Sequence, residues 1–203
     1  MSVIASDIIS PGTPQGMSEK ARTCLLIIDM INEFTFPGSE NMFPEVIAVA
    51  ELIANCKRRT KAAGLPTIYV NDNFGQWRSD LPHLVEKCRA TDCKGRAIVE
   101  CLAPEKDDYV ILKPRHSGFF GTPLELLLMS IHTRRLIITG IATDSCVLYT
   151  AADAYMRNYE LMVPSDCVAA INSQAHHNAL AHIETMLKAN TSRSSELNFS
   201  SKM

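Results

Sequence analysis

The stretch from Arg134 to Arg157, RRLIITGIATDSCVLYTAADAYMR, leaves this chain few folds to choose from. It opens with a short β-branched apolar run, Leu136-Ile137-Ile138, the pattern of a strand buried on both faces. Gly140 ends the run, and Thr143 or Asp144 is placed to cap a helix in which Val147, Ala151, Ala154 and Tyr155 recur at helical spacing. A doubly buried strand running straight into an amphipathic helix is the building unit of a parallel α/β sheet.

The same alternation recurs on either side. Thr23 to Ile28 is a near-continuous apolar run ending in Asp29, and Pro44 to Ala63 carries Val46, Ile47, Ala50, Ile53 and Ala54 at helical spacing, closed by Gly64. Pro66 to Val70 reads as a second strand, and Ser79 or Asp80 caps a short helix to Arg89. Residues 91–105 hold a helical turn of uncertain extent. Tyr109 to Leu112 is the third strand, Thr122 caps a helix through Met129, and Glu160 to Pro164 is the fifth strand. Asn172 or Ser173 caps a last helix to Lys188. This order predicts a three-layer α/β/α fold with a mostly parallel, Rossmann-like sheet of five or six strands. The domain spans residues 21–190, between an N-terminal arm (1–20) and a polar tail (191–203) holding at most a short edge strand.

Several function classes drop out. No Gly-x-Gly-x-x-Gly follows the first strand, which continues Asp29-Met30-Ile31-Asn32-Glu33-Phe34, so a dinucleotide-binding oxidoreductase is excluded. A net charge of −2 with interspersed signs gives no footprint for nucleic acid or an anionic membrane. No apolar run approaches the roughly 18 residues of a membrane-spanning helix. Seven irregularly spaced cysteines and no export signal point to a reducing cytoplasm. Cys88, Cys93 and Cys101 with His83 match no paired Cys-x-x-Cys zinc pattern, so no metal and no cofactor are expected.

Three reactive side chains fall at one kind of place. Asp29, Lys113 and Cys146 each follow a buried strand, and in a parallel sheet those ends share one edge. Cys146 also sits on a first helical turn, where free N–H groups and the helix dipole favour a thiolate and are placed to hold an oxyanion. The chemistry joins up. Asp29 takes the thiol proton, the sulfur attacks a carbonyl carbon, and Asp29 returns the proton to a departing amine. Lys113 favours the thiolate and holds the carboxylate. Each residue alone has a plainer reading: Cys146 as a small core hydrophobe, Asp29 as a cap, Lys113 as a solvated charge.

Taken together, "LLIIDMINEF", "VILKPRHSGFFGTPL" and "LIITGIATDSCVLYTAADAY" resemble the isochorismatase-like cysteine hydrolase superfamily, which includes nicotinamidases and N-carbamoylsarcosine amidase, over roughly residues 22–190. The resemblance implies that Asp29, Lys113 and Cys146 form a catalytic triad. It also implies a non-proline cis peptide between Ile141 and Ala142, with the N–H groups of Ala142 and Cys146 facing the oxyanion. A cysteine at position 146 favours hydrolysis of a C–N bond through a thioester. The alternatives are a vinyl ether hydrolase of isochorismatase type, with Asp29 as acid, and a binding module that has lost turnover. Nicotinamidases carry an Asp-x-His metal motif after the second strand; here the stretch is Asp72-Asn73-Phe74, which removes support for a metal and for nicotinamide.

The pocket candidates are Phe34, Asn71, Asp72, Trp77, Phe119 and Tyr149, facing a small amide-like substrate. For Asn71 and Asp72 a capped turn is the other reading, and for the aromatic residues it is packing. His116 has no assigned partner and reads as surface, substrate contact or subunit contact. The resemblance further implies a homodimer or homotetramer.

Overall fold

The computed structural model describes residues 23–75 and 80–199. The N-terminal arm, Trp77 and the Ser79 cap lie outside them. Six strands form one sheet: β1 (Thr23–Ile28), β2 (Thr67–Asp72), β3 (Tyr109–Lys113), β4 (Arg135–Ile141), β5 (Glu160–Met162) and β6 (Val168–Ala169). Their order is β3-β2-β1-β4-β5, with β6 pairing the last residues of β4, and every pairing is parallel.

The continuous apolar runs are explained by burial on both faces. Along β1, Leu25 and Ile27 enter one apolar cluster, while Cys24, Leu26 and Ile28 enter the other. The first cluster is closed by α1 (Ser39–Ala62), α2 (Leu81–Arg89) and α3 (Arg96–Leu102), and the second by α4 (Leu124–Ser130), α5 (Leu148–Met156) and α6 (Ser173–Thr185). Leu25, Leu26, Ile27 and Ile28 are all 0% exposed. Each contributes about 1.5–3 kcal/mol of burial, before the cost of ordering the chain. The architecture is the expected three-layer α/β/α sandwich. Among the described residues, no helix is long and apolar enough to cross a membrane.

Local readings shift in places. The first helix begins at Ser39, five residues before Pro44, because Gly38 turns the chain at φ 81° and the Ser39 hydroxyl donates to the Phe34 carbonyl at 2.7 Å. Of the two cap candidates for each helix, Asp80 caps α2 and Asn172 caps α6. Neither Thr143 nor Asp144 caps a helix; Thr143–Val147 is a π-helical turn leading into α5. Within the tail, Arg59 donates to the carbonyls of Ser194 and Leu197 at 2.6 and 2.8 Å, so this segment packs along α1.

The chain adds strands outward from β1 to β3, then returns to place β4 on the other side of β1. That reversal opens a crevice beyond the carboxyl ends of β1 and β4, where open α/β sheets hold ligands. The two strands approach closely there. Gly140 has φ 110°, and a Cβ on it would lie 2.0 Å from the Ile28 carbonyl oxygen.

Candidate active site

Three strand ends deliver the central side chains. Asp29 leaves β1 in the left-handed region, at φ 52°, with its N–H donating to the Val70 carbonyl at 3.1 Å. Non-glycine residues take that conformation mainly when their surroundings enforce it, and aspartate tolerates it better than most. One carboxylate oxygen accepts the Asp72 N–H at 2.6 Å; the other lies 2.8 Å from the Lys113 ammonium. Lys113 ends β3, in register with Asp72 of β2, and its four-carbon stem crosses the end of β2 to reach Asp29. It is 0% exposed. Its Nζ also lies 3.5 Å from Asp72 Oδ2 and donates to Cys146 Sγ at 3.4 Å.

Cys146 comes from the π-helical turn after β4, which follows a cis peptide between Ile141 and Ala142. The Thr143 hydroxyl and His176 Nδ1 are 2.9 Å apart, tying this turn to α6. His116 Nδ1 stands 3.8 Å from Sγ and 3.2 Å from Ser145 Oγ. The His116 ring stacks on Tyr149, with centroids 5.6 Å apart and planes 21° apart.

The electrostatics decide between the two pulls on the sulfur. Burial pushes the Cys146 thiol up to about 12, and the neighbouring Asp29 carboxylate adds to the rise; Lys113 opposes both without cancelling them. The resting sulfur is therefore a thiol, the form whose proton Asp29 is placed to take, despite the pull of the helix start and of Lys113 toward a thiolate. Burial also raises the Asp29 carboxyl above the ordinary range, against the pull of Lys113. For Lys113, burial acts to lower the pKa, but Asp29, Cys146 and Asp72 outweigh it and hold the amine cationic.

The remaining pocket candidates divide. Asp72 stands at the site, partly exposed beside Lys113, and Tyr149 lies on its rim, 55% exposed. Phe34 is fully buried and packs against Phe36 and Phe43, so it belongs to the core. Asn71 is likewise buried: its amide donates to the Ile31 carbonyl at 2.8 Å and accepts the Ile31 N–H at 3.2 Å, which clamps the chain after β1. Phe119 packs beneath Tyr159 and the Arg157 guanidinium. These three side chains are taken up by the fold and face no open crevice.

Among the described residues, those at this strand end do not suit a transition metal. Asp72 Oδ1 accepts the Phe74 N–H at 2.6 Å, Oδ2 faces Lys113, and Phe74 offers no donor atom. His116 and Ser145 beside the sulfur, and His176 behind the turn, are contacts that sequence spacing gave no means of locating.

Comparison with known proteins adds a lineage. The isochorismatase domain family matches residues 23–195. The chain is 38% identical over 170 residues to the uncharacterized isochorismatase family protein YaaI of Bacillus subtilis, covering 84% of this chain and 93% of that one. It is 31% identical over 202 residues to the ureidoacrylate amidohydrolase RutB of Serratia proteamaculans, covering 86% and 82%. Among solved structures, N-carbamoylsarcosine amidase from Thermoplasma acidophilum superposes with a TM-score of 0.68 at 31% identity, covering 87% and 99%. The nicotinamidase of Staphylococcus aureus gives 0.62 at 25% identity, covering 85% and 99%.

Proposed function

The chain belongs to the isochorismatase domain family, and from that premise we propose that it hydrolyses a C–N bond in a small ureido or carbamoyl compound through a thioester on Cys146. It is a cysteine hydrolase acting on small-molecule C–N bonds. The observation that carries the residue assignment is the Lys113 ammonium, 2.8 Å from the Asp29 carboxylate and 3.4 Å from the Cys146 sulfur.

Asp29, with its raised pKa, is a stronger proton acceptor than an ordinary carboxylate, and it takes the thiol proton as the sulfur attacks the carbonyl carbon. The N–H groups of Ala142 and Cys146 face the developing oxyanion. Asp29 then delivers its proton to the departing nitrogen, the C–N bond breaks, and a thioester remains for water to cleave. Lys113 pulls the Asp29 pKa down against the effect of burial, favouring the carboxylate, and moves no proton itself. Two relatives support a carbamoyl nitrogen in the substrate: the ureidoacrylate amidohydrolase and N-carbamoylsarcosine amidase, both at 31% identity.

An ammonia-release screen over ureides, carbamoyl compounds and simple amides, run with wild type and Cys146→Ala together, tests the reading. The substitution should lower turnover by roughly three or more orders of magnitude, as loss of a nucleophile does. Hydrolysis that survives it would favour direct protonation by Asp29. A homodimer or homotetramer is part of the same proposal, supported by the exposure of Phe120, Leu126, Met129 and Met156; light scattering reads it directly.

A further inference from the structure

We propose that His116 is the general base of the second half-reaction, activating the water that cleaves the thioester, while Asp29 serves the first. This rests on Cys146 as the nucleophile. The sulfur has two unlike sets of neighbours. Two of its neighbours are buried: Lys113, 0% exposed, and Asp29, 6% exposed. The other is an exposed imidazole, with Nδ1 3.8 Å from Sγ and its ring stacked on Tyr149. Water that enters from solvent to attack the thioester carbon passes the exposed His116, which stands beside the sulfur. A base needs only hydrogen-bond reach of that water, and Nδ1 stands at that remove from the sulfur.

The loop that carries His116 is held with unusual care for an exposed side chain. The Ser117 hydroxyl donates to the Asp153 carboxylate of α5. The Gly118 N–H donates to Thr150 Oγ1 at 3.0 Å, and that hydroxyl in turn donates to the Cys146 carbonyl at 2.6 Å. One hydroxyl of α5 thus fixes the His116 loop to the backbone of the nucleophile itself. Ser145 Oγ, 3.2 Å from Nδ1, and the Tyr149 face set the ring's orientation.

The balance of the step is simple. Water loses a proton to Nδ1 as its oxygen bonds to the thioester carbon. The C–S bond breaks, the sulfur takes that proton back from the imidazolium, and the acid leaves. No other reactant is needed.

The test is pre-steady-state kinetics of wild type, His116→Gln and His116→Ala, with whichever ureide or amide wild type turns over. Ammonia or amine release and the intact mass of the protein are followed together. In both variants the first turnover should keep its wild-type rate while kcat falls by about 10²–10³-fold, giving a burst and a mass adduct on Cys146. Added imidazole should restore part of kcat in His116→Ala by removing the adduct faster. An unchanged kcat overturns the proposal. So does a kcat that falls together with the first turnover and leaves no adduct. Failure of the nucleophile reading is seen separately, as ammonia release that persists in Cys146→Ala.

Discussion

Replacing Lys113 by Met isolates what the buried ammonium does. Methionine has similar length and volume, so the change removes a charge without opening much space. The Lys113–Asp29 contact is 2.8 Å, with side-chain exposures of 0% and 9%. At that separation and an effective dielectric of about 20, Coulomb attraction is roughly 6 kcal/mol, an upper bound. Breaking a buried pair by removing one partner costs about 3–5 kcal/mol, because the surviving charge is left uncompensated. At about 1.4 kcal/mol per pH unit, the acid limb of kcat/KM, where Asp29 must ionise to act as base, should move upward by roughly 2–3.5 units. Stability supplies a second readout. The Asp29 pKa is raised by folding, so the folded state favours the protonated carboxyl, and its contribution declines as pH rises through the folded value. Lys113→Met raises that value further. Relative to wild type, the variant should therefore be most stable in acid, where wild type buries an unpaired ammonium, and should lose about 3–5 kcal/mol of that standing toward neutral pH, read by denaturant melts across a pH series. An acid limb and a melt series that both coincide with wild type would refute the role given to Lys113.

Three other substitutions separate the parts of the site. Asp29→Asn removes the anion that helps hold the Cys146 thiol near 12, so iodoacetamide should label Cys146 faster than in wild type at neutral pH, by peptide mapping, while hydrolysis is lost. Gly140→Ala sets a Cβ against the Ile28 carbonyl at 2.0 Å and forbids φ 110°; a loss of about 3 kcal/mol or more, or no soluble protein, is expected in thermal melts. Asn71→Ala strands the N–H and carbonyl of Ile31, which should cost roughly 2–4 kcal/mol by denaturant midpoint. A stable Asn71→Ala with raised KM would return Asn71 to the pocket.

The sheet and the meeting of three reactive residues could be read in the sequence because parallel strands share an edge. Apolar runs mark the strands, and whatever follows each run arrives at that edge, however distant along the chain. Side chains between the edge and the helices obey no such rule. Phe34 and Phe119 sit in loops and look like walls of a pocket, yet a phenylalanine gains more from burial than from an open rim, and both are drawn into the core. Asn71 ends a strand as Asp72 does. The pleat sends Asn71 inward to Ile31 and leaves Asp72 partly open beside Lys113. His116 meets the sulfur only because Ser117 and Gly118 are pinned to α5, a contact across more than thirty residues that no local pattern records.

The charge state of the cysteine is set by opposing pulls, and the outcome suits the reaction. A helix start beside a lysine suggests a preformed thiolate. Such a sulfur would attack readily but would bring no proton, and an amine leaves poorly without one. Here burial and the Asp29 carboxylate keep the proton on the sulfur until a carbonyl arrives. Attack then transfers it to Asp29, whose own pKa is raised, and Asp29 stands ready to protonate the departing nitrogen. The lysine sets the limit on how far both values rise. A single proton, passed from sulfur to carboxylate to nitrogen, thus links nucleophile activation to C–N cleavage.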